Sequence, residues 1–310
     1  MEKPKECFKT SVGGQALMEG IMMRGPEKIC VAVRRPDGTL DMTYENVKHH
    51  RWQKIPLVRG AAAMIENLVL GYRYLMHSAE VSMPEEAGEE PGRFETWLGE
   101  HAGPAAQNFL MALAAVCGGL LAIVLFMVLP TAIVGFADRF VPLGWGKVVL
   151  EGALKIALFV GYLFLCTRMK EIHRVFEYHG AEHKTIACYE AGEELTVENV
   201  RRHRRFHPRC GTSFMILVLI VSILLFSVLP WGSTGLRVVL KLLLLPGVMG
   251  VSYELIKLAG RYDNIFTRII SAPGLWLQRL TTFEPDDSMI EVAIAAVTPV
   301  LPEHPDEAKW

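Results

Sequence analysis

Four segments of the chain are apolar over about 20 residues, the length that an α-helix needs to cross a bilayer. Two of them, 109–137 and 213–231, contain no charged side chain. The other two are 148–169, with Glu151 and Lys155 near its start, and 236–259, which carries Arg237, Lys241, Glu254 and Lys257. The pattern predicts a mainly α-helical, polytopic membrane protein with about four transmembrane helices and a small cytoplasmic α+β region.

The charges inside these segments have two interpretations. Glu151 and Lys155 are four residues apart, so a helix would let them pair and would lower the cost of placing either in lipid. Structural pairing is favoured over a role in conduction. Glu254 lies beyond the helix-bending Pro246-Gly247, close to the predicted cytoplasmic end of its span, and is either a functional carboxylate or the partner of Lys257.

The N-terminal part has a different pattern. Two β-rich runs, 28–33 and 39–47, flank a turn signal and predict a hairpin. The preceding stretch, 11–25, mixes glycine and methionine in a way that neither a helix nor a strand template explains, and its glycines permit positive φ or close backbone approach. Its charged residues, Glu19 and Arg24, form either a buried pair or part of a functional loop.

These patterns divide the chain into five parts. Residues 1–56 hold the Gly/Met-rich loop and hairpin, 57–81 an amphipathic helix and 82–105 an acidic linker. The four-span membrane domain covers 106–260 and includes a His-rich loop at 170–212. We expect the second span to continue as a helix through Phe176, a further helix after Gly180 to end at Gly192, and Thr196 to open a third. Interfacial helices and a tail fill 261–310, with a helical hairpin at 263–282 and a helix over 285–296.

Charge distribution predicts the orientation. The net charge is only −1, but the segment 167–212 is rich in lysine and arginine, which accumulate on the cytoplasmic side. We therefore expect a multi-pass protein of the cell (inner, cytoplasmic) membrane, with both termini and this segment on the cytoplasmic side. We also expect no cleavable signal peptide, and we expect the six cysteines to be reduced. Besides the lipid bilayer itself, anionic lipid is a candidate partner of four clustered arginines: Arg201, Arg202, Arg204 and Arg205.

The strongest chemical signal is His-x-x-Glu-His, formed by His179, Glu182 and His183. In a helix the spacing i, i+3, i+4 puts all three side chains on one face, so that two imidazoles can share a metal beside a carboxylate. In zinc hydrolases with this pattern the glutamate polarises water, and a later carboxylate completes the ligand set. We therefore assign His179, His183 and Glu254 as metal ligands, Glu182 as the catalytic base and a divalent metal, zinc, as the cofactor.

Other residues nearby could belong to the site. His207 and Cys210 have ligand chemistry and x-x spacing at the entry to the third span, and Cys188 could contribute. Lys184, Glu19 and Arg24 are further candidate site residues. A closed set of His179, His183, His207 and Cys210 would make the metal structural, and hydrogen bonds alone could also satisfy the histidines.

Several separate motifs, in the same order, resemble those of the YqhQ family (DUF1385), bacterial membrane proteins of unknown function that are commonly labelled as metal-dependent enzymes. They lie at 13–24, 178–184, 207–214, 252–254 and 284–296. The resemblance covers nearly the whole chain and implies a polytopic membrane protein whose motif-bearing segments group together. No substrate comes with it.

The leading hypothesis is a metal-dependent membrane enzyme, a hydrolase with its site on the cytoplasmic side. The main alternative is a non-enzymatic scaffold or membrane-protein biogenesis factor, in which the polar residues hold the cytoplasmic region together. A transporter ranks third, because the membrane-embedded charges form plausible local pairs.

Overall fold

The structure is a computed structural model that describes residues 9–83, 104–262 and 264–302. Over these ranges the chain is mainly α-helical with one small antiparallel sheet, as predicted. The strands are β1 (Gly13–Leu17), β2 (Gly20–Arg24), β3 (Lys28–Arg34) and β4 (Leu40–Asn46). The helices are α1 (Val58–Ser82), α2 (Pro104–Ile123), α3 (Leu129–Ala137), α4 (Gly146–Cys166), α5 (Lys170–Glu190), α6 (Val197–Arg202), α7 (Gly211–Ser227), α8 (Thr234–Arg261), α9 (Ile265–Thr281) and α10 (Asp287–Val297), with a π-helical turn, Val124–Val128, between α2 and α3. Most of the predicted acidic linker and the end of the tail lie outside the described residues.

The sheet is a four-stranded meander in the order β1-β2-β3-β4 and not a single hairpin. The predicted hairpin corresponds to β3 and β4, whereas the Gly/Met-rich stretch forms the two additional strands. Its glycines concealed them because they interrupt the alternation on which a strand template depends. The turn between β1 and β2 has two residues, and the second, Glu19, adopts φ 48°, in the left-handed region that residues other than glycine seldom occupy.

Both faces of the sheet are buried, which explains why β2 and β3 are apolar almost throughout. On one face Ile21, Met23, Cys30 and Ala32 pack in a core with α5 and α10. On the other, Met22, Val31 and Val33 pack with Tyr74 of α1. The sheet is thus the middle layer of a helix–sheet–helix arrangement.

Chain contacts divide the protein into two compact units. The first contains Met1–Pro84, Val160–Leu225 and Leu244–Trp310, and the second contains Glu85–Phe159 and Phe226–Leu243. The sheet, α5, α6, α9 and α10 belong to the first unit.

Three helical segments are long and apolar enough to cross a membrane: Leu113–Ala137, Gly146–Cys166 and Thr234–Arg261. A further apolar helix, Gly211–Ser227, is shorter. Large apolar side chains point outward from them, such as Leu121 at 66% exposure and Leu243 at 71%, as expected of lipid-facing positions. The chain is therefore a membrane protein, with three of the four predicted spans meeting the length criterion.

The region that carries the motif differs from prediction in two places. The second span does not continue unbroken, because α4 ends at Cys166 and α5 begins at Lys170. Conversely, α5 runs through Gly180 without interruption and ends before Gly192, whose φ of 70° is the expected left-handed terminator. Thr196 caps α6 as predicted, accepting the backbone N–H of Asn199 at 3.3 Å.

The C-terminal region also contains one correction. In place of a helical hairpin at 263–282, α9 is one helix with Pro273 inside it. The adjacent Gly274 is a contact point: a methyl group there would lie 2.4 Å from Oγ of Ser213 at the start of α7. The Pro-Gly pair therefore marks close helix packing, whereas the sequence pattern suggested a turn. The helix predicted over 285–296 is α10, capped by Asp286.

Gly180 lets an extended segment cross α5 in the middle of the motif. The backbone N–H of Phe283 donates to the carbonyl of Phe176 at 2.9 Å, which brings the Phe283 carbonyl directly over Gly180. A methyl group at position 180 would lie 1.9 Å from that oxygen. A side chain cannot be accommodated without moving the crossing segment.

Replacing Gly180 by alanine should therefore destabilise the first unit by at least about 2 kcal/mol, the cost of overpacking a tight backbone contact. Gly118→Ala is the matched control, because no atom of the described structure lies within 4 Å of the added methyl. There the usual helical preference for alanine should leave stability unchanged or improve it. Thermal unfolding of the detergent-solubilised variants measures both effects, and equal melting temperatures would contradict the tight crossing.

Candidate metal centre

The three motif residues lie on α5, where the chain is buried on all sides. His179, Glu182 and His183 are 9%, 5% and 1% exposed, and every residue from Tyr178 to Ile186 is buried. Buried polar groups require partners, so the contacts of each side chain define what the site can do.

His179 is held by a backbone carbonyl. Its Nδ1 lies 2.7 Å from the carbonyl oxygen of Thr281, at the end of α9. Because a carbonyl can only accept, Nδ1 carries the hydrogen. The other nitrogen, Nε2, lies 3.1 Å from Sγ of Cys210.

His183 is held in the same way. Its Nδ1 donates to the carbonyl oxygen of Arg205 at 2.5 Å, so Nε2 remains as the available ring nitrogen. The two imidazole rings meet edge to face, with their centroids 4.4 Å apart. Both histidines thus have their tautomer fixed by the loops that pass the helix.

Cys210 completes a compact group of three ligand atoms. One nitrogen from each of His179 and His183 and the sulfur of Cys210 all lie within 4.8 Å of one another, and all three residues are buried. Cys210 immediately precedes α7, and its sulfur accepts the backbone N–H of Thr212 at 3.4 Å. A helix N-terminus of this kind favours a thiolate.

The charges in this group are coupled. Burial opposes ionisation of Cys210, but the neighbouring imidazoles outweigh it and hold the pKa of the thiol well below its usual value. Burial likewise opposes protonation of His179, yet the cysteine charge and the contact with its sulfur raise the pKa of the imidazole to about 9. The contact between the two residues therefore favours the ionised thiol of Cys210 and the protonated imidazole of His179.

Glu182 is oriented by the first strand. Its Oε1 accepts the backbone N–H of Gly14 at 2.9 Å. A methyl group at Gly14 would lie 3.2 Å from the Glu182 carboxyl carbon and 2.5 Å from the Met22 carbonyl, so this close approach depends on glycine. Burial raises the pKa of Glu182, opposed by the charges of His183 and His179.

His207 lies beside the group rather than within it. Its ring centroid is 5.6 Å from that of His183, and its Nε2 accepts from Arg209 at 3.2 Å. Glu190 forms an ion pair with Arg209 and lies 3.5 Å from the His207 ring. Burial lowers the pKa of His207; the hydrogen bond with Glu190 opposes this shift, and the Arg209 charge adds to it.

The backbone of this loop is locked by Gln278 of α9. The backbone N–H of His207 donates to Oε1 of Gln278 at 2.8 Å, and Nε2 of Gln278 donates to the His207 carbonyl at 2.7 Å. The loop that carries Arg205 and Cys210 is thereby fixed to α9, whose end holds His179.

Glu254, assigned from the sequence as the third metal ligand, lies elsewhere. Its carboxylate is paired with Arg59 of α1, with Oε1 2.7 Å from the arginine Nε, and also accepts the backbone N–H of Leu57 at 3.3 Å. The planar guanidinium matches a carboxylate and occupies both oxygens. The position beside the two histidines is taken by Cys210 instead.

The remaining candidates from the sequence form structural contacts. Glu19 pairs with Arg174 of α5, its Oε2 2.6 Å from Nη2, and Arg24 pairs with Glu66 of α1 at 3.2 Å, so these two charges do not pair with each other. Lys184 donates to the Arg201 carbonyl at 3.0 Å and pairs with Glu284 at 2.7 Å.

Cys188 belongs to a second group. Its sulfur, a Glu193 carboxylate oxygen and a His203 ring nitrogen lie within 4.8 Å of one another, but Glu193 is exposed and His203 only half-buried. The Cys188 thiol donates to the Glu194 carbonyl at 3.6 Å, and burial raises its pKa to about 11. It therefore stays a neutral thiol and is separate from the motif.

Sequence reasoning missed the groups that orient the site. The carbonyls of Thr281 and Arg205 leave no side-chain signal. Gln278 and Glu190 looked like ordinary polar residues of helices. Gly14 did have a signal, because the glycines of its stretch indicated close backbone approach. That signal did not identify Glu182 as the residue that approaches.

The fold and the site define a helical membrane protein whose α/β unit contains a buried His-His-Cys group next to a glutamate. The chain belongs to the family described as "Protein of unknown function (DUF1385)", which it matches over residues 55–303. It is 35% identical over 306 residues to "Uncharacterized protein YqhQ" of Bacillus subtilis (strain 168). The alignment covers 96% of this chain and 94% of that protein. The resemblance stated from the motifs is confirmed. No solved structure matches the chain.

Proposed function

We propose that this protein is a metal-dependent integral-membrane enzyme, a hydrolase, whose metal is held by His179, His183 and Cys210. The observation that carries the proposal is that three buried ligand atoms of these residues lie within 4.8 Å of one another. Both histidines direct Nδ1 to a backbone carbonyl, the outer contact that metal-binding histidines usually make.

The donor set favours zinc. Two imidazole nitrogens and one thiolate suit a borderline-soft divalent ion, and the depressed pKa of Cys210 supplies the deprotonated sulfur that such an ion requires. Structural zinc sites have four protein ligands, whereas catalytic ones have three and leave one position for water. With Glu254 paired to Arg59, three protein ligands remain in the part of the chain that the structure describes. When bound, zinc lowers the pKa of water in that position towards 7.

Glu182 is suited to act as the base. It is next to His183 in sequence, it is buried, and only its Oε1 is engaged by Gly14 among the contacts that the structure describes. Burial shifts the pKa of Glu182 upward, towards neutral pH, and a general base is most effective when its pKa lies near the working pH. Its role would be to take a proton from water and pass it to the leaving group.

The membrane setting supports a cytoplasmic site. The basic residues of 167–212 are on the same segment as the motif, and the positive-inside tendency predicts that this segment and both termini lie in the cytoplasm. In this arrangement Gly211–Ser227 is the fourth span of a cell-membrane protein. Its 17 residues are at the lower limit for crossing.

A cysteine-nucleophile hydrolase is a second candidate. The contact between Cys210 and His179 is also that of an activated thiol, with the imidazole oriented by a third group, Thr281. A protein that contains no metal but is inactivated by alkylation of Cys210 would be of this kind. A protein with neither property would fit the scaffold or biogenesis role.

The metal proposal predicts a particular pattern of metal content. Purified wild-type protein should contain about one zinc per chain by elemental analysis, because imidazole nitrogens and a thiolate sulfur are ligands that bind zinc in proteins. His179→Ala, His183→Ala and Cys210→Ala should lose it, since each removes one of three ligands. Glu254→Gln and Cys188→Ala, which lie outside the group, should keep it. Wild-type protein without metal, or loss of zinc only from Cys188→Ala, would overturn the assignment.

The base role predicts a separation of binding from turnover. In Glu182→Gln the amide oxygen can still accept from Gly14, so fold and zinc content should be unchanged, while hydrolysis should fall by about 10²–10⁴-fold. A panel of ester, amide and phosphoester substrates with zinc-loaded protein measures this. Glu177→Gln, one turn earlier on α5 and partly exposed, is the control. Hydrolysis at the wild-type rate in Glu182→Gln would exclude the role.

A further inference from the structure

The second unit contains a cavity of about 610 Å³ at the ends of its apolar helices. It is lined by the last turns of α3, the start of α8 and the residues that precede α4 and α8. Its lining residues are Thr131, Ala132, Gly135, Phe136, Asp138, Arg139, Lys147, Trp231, Gly232, Ser233, Thr234 and Arg237. None of them belongs to the metal centre.

Arg237, which lines the cavity, belongs to a cluster of buried positive charges. Arg237, Lys241 and Lys155 are 2%, 0% and 3% exposed, and all three pair with one carboxylate, Glu151. Three cations against one anion leave a formal excess of two positive charges. Unbalanced charge is costly in an apolar bundle, so an additional anion would stabilise it.

Arg237 has one unsatisfied donor among its described contacts. Its Nη1 and Nη2 donate to the carbonyls of Leu229 and Phe226 at 2.5 Å and 3.1 Å, and Nη2 lies 3.2 Å from Glu151. Its Nε, although buried, has no hydrogen-bond partner among the residues that the structure describes. A buried donor without an acceptor costs about 1–3 kcal/mol, so the cluster leaves this guanidinium incompletely satisfied.

The rest of the lining favours the same ligand. Arg139 is exposed at the rim, whereas Lys147 is held by Asp138 at 2.6 Å. Ser233 and Thr234 supply hydroxyls at the start of α8, and a helix N-terminus favours negative charge. Trp231 stacks under Arg237, with the guanidinium carbon 3.9 Å from the ring centroid. A tryptophan at the end of a span is typical of the headgroup layer.

We propose that this cavity binds a phosphate-bearing anion, with Arg139 as its charged contact and the buried cations around Arg237 as the source of the positive potential that attracts it. The phosphate could come from an anionic phospholipid headgroup or from a soluble phosphate compound, since the contacts to the oxygens are the same. This is a second ligand site, independent of the proposed hydrolase.

The test uses the full chain in neutral detergent and follows thermal unfolding by intrinsic fluorescence. Phosphatidylglycerol is titrated against phosphatidylcholine, and inorganic phosphate against chloride at equal ionic strength. Stabilisation by phosphatidylglycerol alone identifies a lipid headgroup, and stabilisation by inorganic phosphate as well identifies the phosphate group itself. If neither stabilises the wild-type chain beyond its control, the proposal is overturned.

Variants separate a built site from general attraction of anions. Arg237→Gln removes a buried group and can disturb folding, so Arg139→Gln at the rim is the main variant. It should weaken the response to the stabilising anion at least about tenfold, equivalent to about 1.4 kcal/mol. Arg168→Gln removes an exposed arginine outside the cavity and should respond like the wild type. Equal weakening in both variants would contradict a specific site.

Discussion

The arrangement of the candidate metal centre depends on one constraint, the complete burial of the middle of α5. Because no side of the helix from Tyr178 to Ile186 faces solvent, its polar side chains need partners inside the protein, and the three motif side chains find theirs in neighbouring segments. Three segments supply them: β1 through the Gly14 N–H, the end of α9 through the Thr281 carbonyl, and the loop before α7 through the Arg205 carbonyl. Each fixes one motif side chain, and the contact at Gly180 allows the chain after α9 to pass close enough.

This constraint explains which features could be predicted from the sequence. The i, i+3, i+4 spacing correctly placed His179, Glu182 and His183 on a helix, because that spacing is local. The spans, the cap at Thr196 and the terminator at Gly192 are local signals too. Features that depend on distant contacts were missed. Gly180 and Pro273-Gly274 resemble helix breaks in sequence, but in the fold they are places where another segment packs against a continuous helix.

The third ligand shows the same limit. Glu254 was assigned as a ligand because zinc hydrolases with this motif use a later carboxylate. Its position along the chain, however, carries no information on which side chains surround Glu254 in the fold. In the fold, the carboxylate of Glu254 forms an ion pair with Arg59. Cys210, first considered as a supplementary ligand, is the residue that the folded chain brings to His179 and His183. The unit therefore combines a familiar helical motif with a different neighbouring donor, a cysteine sulfur where the sequence predicted a carboxylate oxygen.

The proposed coordination of zinc by the Cys210 sulfur is tested most directly by X-ray absorption at the zinc edge of the zinc-loaded full chain. We expect one sulfur at about 2.3 Å and the other neighbours, nitrogen or oxygen, at about 2.0–2.1 Å. The sulfur contribution should disappear in Cys210→Ser. A first shell without sulfur in the wild-type protein, or one in which the sulfur persists in Cys210→Ser, would contradict the account.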